Sequence, residues 1–60
     1  MSGLMKDGQM IRIAQRMIAK GNSFECALGA AMTEGDYKAR SKITSAFPRV
    51  IERFKSKIHD

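Results

Sequence analysis

Hydrophobic positions along the chain recur at spacings of three and four residues, which is the period of an α-helix with one buried face. The pattern divides into four segments and predicts helices at about residues 4–20, 23–33, 37–47 and 48–58. No stretch sustains the two-residue alternation of a half-buried strand. We therefore expect an all-α fold, a compact bundle of three to four short helices that forms a single domain from residues 1–60.

Residues typical of helix ends separate these segments. Gly21 and Gly35 each follow the last turn of a segment, a common position for glycine. Asn22 precedes Glu25 by three residues, which is the spacing of a capping box, and Asp36 has the short polar side chain of an N-cap. These signals predict where the second and third helices begin.

The second helix is expected to be the central and most buried one. Its small residues, in the run ALGAAM, allow another helix to approach closely, and a tight crossing would offset the low helix propensity of Gly29. Gly8 weakens the start of the first helix, so residues 1–8 are expected to fray or to form a separate turn. The third helix is expected to bury a stripe of Ala39, Ile43, Ala46 and Phe47. One core is expected to contain Phe24, Leu28, Ile43, Phe47, Ile51 and Phe54.

The methionines are expected to divide between the core and the surface. Met10, Met17 and Met32 lie on apolar stripes and are interpreted as core residues, because methionine fills irregular gaps. Leu4 and Met5 precede Gly8 and are the exception if the fold leaves the start of the first helix uncovered. They would then provide an apolar contact for a partner or for a second copy of the chain, so a homodimer is one expected state.

Catalytic and metal sites are not expected. The chain has sixty residues with one cysteine, Cys26, and one histidine, His59, so neither an internal disulfide nor a four-ligand zinc site can form. Cys26 is interpreted as a small buried thiol without a neighbouring base. We expect a non-enzymatic protein without a cofactor. The lone thiol and the absence of a signal peptide or a long apolar run favour the cytoplasm.

The charge of the chain favours an anionic partner. The net charge is +5, and the acidic residues stand mainly at helix caps and ends, so the polar helix faces are almost purely cationic. A charged outer face is ordinary for any one helix, but solvated faces usually mix both signs. The candidate binding residues are Arg12, Arg16, Lys20, Lys38, Arg40, Ser41, Lys42, Arg49, Arg53 and Lys57.

A helix-turn-helix is one possible arrangement of the second and third helices. Residues 33–35 form a short turn with glycine, and Ala31 is the small residue that such a motif requires. However, Asp36, Ser41 and Thr44 occupy positions where the motif normally has apolar residues. A general helical hairpin is therefore the favoured interpretation.

Two functions remain open from these observations. The first is a small regulator or accessory protein that binds DNA or RNA through its cationic helix faces, mainly at phosphates. The alternative is an inhibitor or adaptor, of the kind that phages and plasmids encode, which docks on an acidic surface of a larger host protein. A membrane-surface helix at residues 4–20 is disfavoured because the chain has no tryptophan and its helices are capped.

Overall fold

The computed structural model describes residues 5–58, with the side chains of residues 5–55. This part of the chain forms four helices and no strand, which confirms the all-α prediction. The helices are α1 (Asp7–Lys20), α2 (Ser23–Glu34), α3 (Tyr37–Ala46) and α4 (Pro48–Ile58). Among the described residues, no helix has the length and apolar character needed to cross a bilayer.

The predicted caps of α2 and α3 are confirmed. The Asn22 side chain accepts a hydrogen bond from the Glu25 backbone N–H at 2.9 Å, and the Glu25 carboxylate accepts one from the Asn22 N–H at 2.9 Å. Asp36 accepts from the backbone N–H of Ala39 at 2.9 Å. These bonds satisfy donors that the first turn of a helix leaves without an intrahelical acceptor.

Glycine is required at positions 21 and 35 because a Cβ atom would not fit there. A left-handed backbone conformation is not the reason. Their φ angles are −84° and −87°, which any residue can adopt. A Cβ atom at Gly21 would lie 2.6 Å from the Glu25 Cβ and 2.6 Å from the Met17 carbonyl oxygen. At Gly35, a Cβ would lie 2.7 Å from the Ala39 Cβ. Both turns therefore require a residue without a side chain.

The central helix is α1, and the prediction that the second helix is central was wrong. α1 contacts all three other helices and buries Met10, Ile13, Ala14 and Met17. Its apolar residues form one stripe, so the helix can turn that stripe fully inward. By contrast, α2 is apolar on most of its circumference and buries only Glu25, Gly29 and Met32.

The tight crossing expected at Gly29 is confirmed. A Cβ atom at this position would lie 2.7 Å from the Ala14 carbonyl oxygen and 3.0 Å from the Ile18 Cγ1. The backbones of α1 and α2 therefore approach as closely as glycine allows. This contact lies between the two helices that share the most extensive interface.

The buried core is rich in methionine, as expected for Met10, Met17 and Met32. Met5 also packs against the core and is half-buried, so the fold partly covers the start of the described chain. Leu4 lies outside the described residues. The buried apolar residues are Met10, Ile13, Ala14, Met17, Met32, Ile51 and Phe54.

The predicted six-residue core is confirmed only in part. Ile51 and Phe54 are buried, and Leu28, Ile43 and Phe47 are half-buried. Phe24 is 53% exposed, so its assignment to the core was wrong.

The predicted stripe of α3 is also confirmed only in part, since Ala46 is exposed and the buried residue of this helix is Arg40. Ala39, Ile43 and Phe47 are half-buried. The apolar side of α3 therefore lies at the edge of the interface between α3 and the rest of the bundle.

The close crossing predicts opposite effects for two glycine-to-alanine substitutions. Gly29→Ala should lower the free energy of unfolding by about 1–2 kcal/mol, because overpacking outweighs the gain in helix propensity. Gly8→Ala should raise it by up to about 1 kcal/mol, because no atom lies within 4 Å of the added Cβ. Urea unfolding followed by circular dichroism measures both. If Gly29→Ala stabilised the chain as much as Gly8→Ala, this result would contradict the close crossing of α1 and α2 at Gly29.

Candidate functional site

Arg40, predicted to bind a partner at the surface, is buried inside the bundle. Its Nε and Nη2 atoms donate to the two carboxylate oxygens of Asp7 at 2.7 and 3.1 Å. Its Nη1 donates to the carbonyl oxygens of Met32 and Gly35 at 3.0 and 2.7 Å. The guanidinium thus joins the start of α1 to the end of α2, and its assignment to a binding surface was wrong.

The position of Arg40 sets the orientation of α3. Residues one turn apart from it face the same way, and Thr44 accordingly lies 3.8 Å from the Met10 sulfur. Ser41 is half-buried, and its carbonyl accepts a hydrogen bond from the Thr44 hydroxyl at 2.9 Å. The opposite side of α3 is exposed, and it carries Lys38, Lys42 and Ser45. We call these three residues the α3 face.

The α3 face contains only cationic and neutral side chains. Lys38 and Lys42 are four residues apart, so their side chains are neighbours on the helix surface. No residue of α3 is acidic, and the carboxylate of the preceding Asp36 is engaged as the N-cap. The Ser45 hydroxyl lies exposed beside the two lysines.

The cations of α4 are partly neutralised by carboxylates. Arg53 forms an ion pair with Glu25, which is only 6% exposed and belongs to the first turn of α2. Lys55 lies 3.8 Å from the Glu52 carboxylate, one turn earlier on the same helix. Arg49 is exposed and makes no ion pair with residues 5–55. The Lys57 side chain lies outside the described part of the chain.

On α1, Arg12 and Lys20 are exposed, and Arg16 is half-buried. Arg53 contacts Glu25 beside the turn where α1 gives way to α2, so Arg53 and Lys20 belong to the same end of the bundle. Of these cations, Arg53 of α4 is neutralised by the buried carboxylate of Glu25. The α3 face has no such carboxylate on its own helix.

Exposed cations outnumber the carboxylates able to neutralise them. Asp7, Glu25 and Glu52 make ion pairs within the bundle, and Asp36 caps a helix. Within residues 5–55, six exposed cations make no ion pair with a carboxylate: Lys6, Arg12, Lys20, Lys38, Lys42 and Arg49. Of the predicted binding residues, Arg12, Lys20, Lys38, Lys42 and Arg49 are thus accessible and uncompensated.

The described residues contain no group of three His, Cys, Asp or Glu side chains arranged to hold a metal ion. Cys26 is a free thiol and is half-buried, whereas a buried position was expected. An open cleft of about 270 Å³ lies between α3, α4 and the start of the described chain, where Met5, Ser45 and Lys55 contribute to its walls. This volume is at the lower limit of the clefts that hold small ligands.

Two exposed aromatic residues were missed by the sequence analysis. Phe24 was placed in the core, but its ring packs at the surface against Phe47, with 5.6 Å between ring centroids and an interplanar angle of 73°. Tyr37 is 43% exposed and directly precedes Lys38. Hydrophobic periodicity could not identify Phe24, because α2 has apolar residues on every side.

Comparisons with known family models, with curated proteins and with solved structures find no match to this chain. The function is therefore argued from its own residues.

The buried guanidinium predicts a large effect for a substitution that retains its charge. Arg40→Lys should lower the free energy of unfolding by about 2–3 kcal/mol, because a lysine cannot replace the forked contacts to a carboxylate and two carbonyls. Asp7→Asn should cost less, since the Asp7 side chain is 43% exposed and Arg40 retains both carbonyl acceptors. Urea unfolding compares the two. Equal stability of Arg40→Lys and the unmodified chain would rule out this linking role.

Proposed function

We propose that this protein is a small non-enzymatic accessory or regulatory protein that binds nucleic acid through its cationic helix faces. The α3 face is the principal contact. Lys38 and Lys42 neutralise phosphates, and the Ser45 hydroxyl donates to a phosphate oxygen. Arg12, Lys20 and Arg49 add further phosphate contacts on α1 and α4.

One observation carries this proposal, which is a pair of exposed like charges without a carboxylate on the same helix. Lys38 and Lys42 are exposed four residues apart on α3, and neither makes an ion pair with a carboxylate of residues 5–55. Such like-charge pairs destabilise a helix by a few tenths of a kcal/mol each. The α3 pair faces no carboxylate of its own helix that would offset this cost. A polyanion would supply the missing negative charge and release its counterions on binding.

The expected contact positions the protein without selecting a base sequence. The α3 face offers neither Asn nor Gln, the side chains that form paired hydrogen bonds with adenine. Its lysines act as point charges and lack the planar fork with which arginine binds guanine. Burial of Arg40 removes the only arginine of α3 from such a contact.

The alternative function is an inhibitor or adaptor that binds an acidic protein surface. The exposed Phe24 ring, packed against Phe47, favours it, because aromatic side chains are enriched at the centres of protein interfaces. Nucleic acid and an acidic protein surface differ in the density of their charge. The salt dependence of binding therefore distinguishes them.

Removal of the two α3 lysines should weaken nucleic-acid binding in proportion to the phosphates lost. The double substitution Lys38→Ala and Lys42→Ala is expected to reduce the magnitude of the log-affinity against log-salt slope by about one to two units. The loss should be similar for DNA and RNA of unrelated sequence. Fluorescence anisotropy with labelled oligonucleotides over a salt series measures it. Helicity should persist, because alanine is the better helix former.

The pair Arg12→Ala and Lys20→Ala on α1 removes the same number of positive charges from the additional phosphate contacts and serves as the comparison. We expect a smaller change of slope for this pair. If the α3 double variant binds like the unmodified chain, the α3 face has no role in binding, and the acidic-protein alternative takes precedence. If the α3 double variant loses affinity for one nucleotide sequence far more than for others, α3 makes base-specific contacts.

A further inference from the structure

The outer side of α2 is an apolar surface in contact with solvent. Phe24, Ala27, Ala30 and Ala31 are exposed there, and half-buried Leu28 lies at its edge. We call these five residues the α2 face. The opposite side of the same helix is buried against α1. Helices that are apolar on all sides are normally buried on all sides, so the α2 face has the composition of a covered surface.

The α2 face extends beyond its own helix at one end. Phe24 is 53% exposed, and its ring packs edge-on against that of Phe47, the residue between α3 and α4. Leu28 follows Phe24 by one turn and so lies beside it on α2. The aromatic pair and Leu28 form the bulky part of the surface. The three alanines form a flat part on which a second helix can lie closely.

Charge is strongly segregated around this surface. All eleven lysines and arginines lie in residues 1–20 and 38–60, so residues 21–37 contain none. That segment instead holds Glu25, Glu34 and Asp36. Two copies of a chain with a net charge of +5 repel each other wherever their cationic faces meet. The α2 face is the part of the surface where this repulsion is weakest.

We propose that the α2 face binds the α2 face of a second copy of the chain, with the two helices antiparallel about a twofold axis. In this arrangement Phe24 covers the partner's Ala31, and Ala27 lies close to the axis. Glu34 at the end of one α2 approaches the start of the other, where Lys20 precedes the positive end of the helix dipole. The contact is thus complementary to itself, as a twofold interface requires.

The available area indicates a reversible dimer. A stable interface buries roughly 800 Å² on each partner. That is about a fifth of the 4159 Å² of accessible surface of this chain. A helix of 12 residues is only about 18 Å long, so α2 with Phe47 supplies part of the required area. Contacts below the standard size are typical of weak, transient complexes, so association is expected at micromolar concentrations.

Sedimentation of the full chain from low to high micromolar concentration tests the proposal. The unmodified chain should show a concentration-dependent equilibrium between monomer and dimer. Ala27→Glu should weaken the dimer by at least about tenfold, because two carboxylates meet at the axis without a partner. Gln15→Glu adds the same carboxylate at an exposed residue in the middle of α1 and should leave the association constant unchanged. Circular dichroism at low concentration verifies that both variants fold.

Phe24→Ala is a second variant that removes contact area without adding charge. It should also weaken the dimer, and it should leave the fold intact because the ring is exposed. A chain that remains monomeric up to high micromolar concentration would overturn the proposal. Equal effects of Ala27→Glu and Gln15→Glu on the dimer would overturn it as well. None of these outcomes depends on nucleic acid, so the result is independent of the proposed function.

Discussion

The buried guanidinium of Arg40 is the interaction on which the arrangement of the helices depends. It binds a carboxylate at the start of α1 and two carbonyl oxygens at the end of α2, and it belongs to α3. The last carbonyls of a helix have no intrahelical donor, so this contact both caps α2 and holds three helices together. A chain of sixty residues without a disulfide buries little apolar surface, and a polar link of this kind adds specificity where the core is small.

Two ion pairs decide which side chains remain at the surface. Because Arg40 points inward, the positions of Lys38 and Lys42 point outward, so the cationic α3 face follows from a buried cation. Glu25 has the same effect on α2. It caps the helix, lies buried and binds Arg53, and its neighbour Phe24 is consequently turned outward by about 100° of helix rotation. The α3 face and the α2 face are therefore products of internal polar contacts.

The same contacts explain how far the sequence predicts this structure. Helix ends were predictable because their signals are local, as for Asn22 and Asp36. Helix orientation was predictable only where one stripe is apolar, as in α1. The side of α3 that faces the core depends on the pair Arg40–Asp7, whose residues lie 33 positions apart in the sequence. The side of α2 that faces the core depends on the pair Arg53–Glu25, whose residues lie 28 positions apart. Hydrophobic periodicity does not contain such pairings, and arginine is normally an exposed residue.

The two proposed surfaces differ in how they respond to salt, and this difference follows from their composition. Contacts between phosphates and exposed lysines lose affinity steeply as salt rises, because released counterions drive them. The α2 face is built from alanines, a leucine and a phenylalanine, and the burial of such side chains is not screened by ions. At physiological ionic strength, exposed charges more than about 8 Å apart hardly interact. The repulsion between the cationic faces of two copies is therefore also small under these conditions. The chain would then dimerise under conditions in which the nucleic acid is already released.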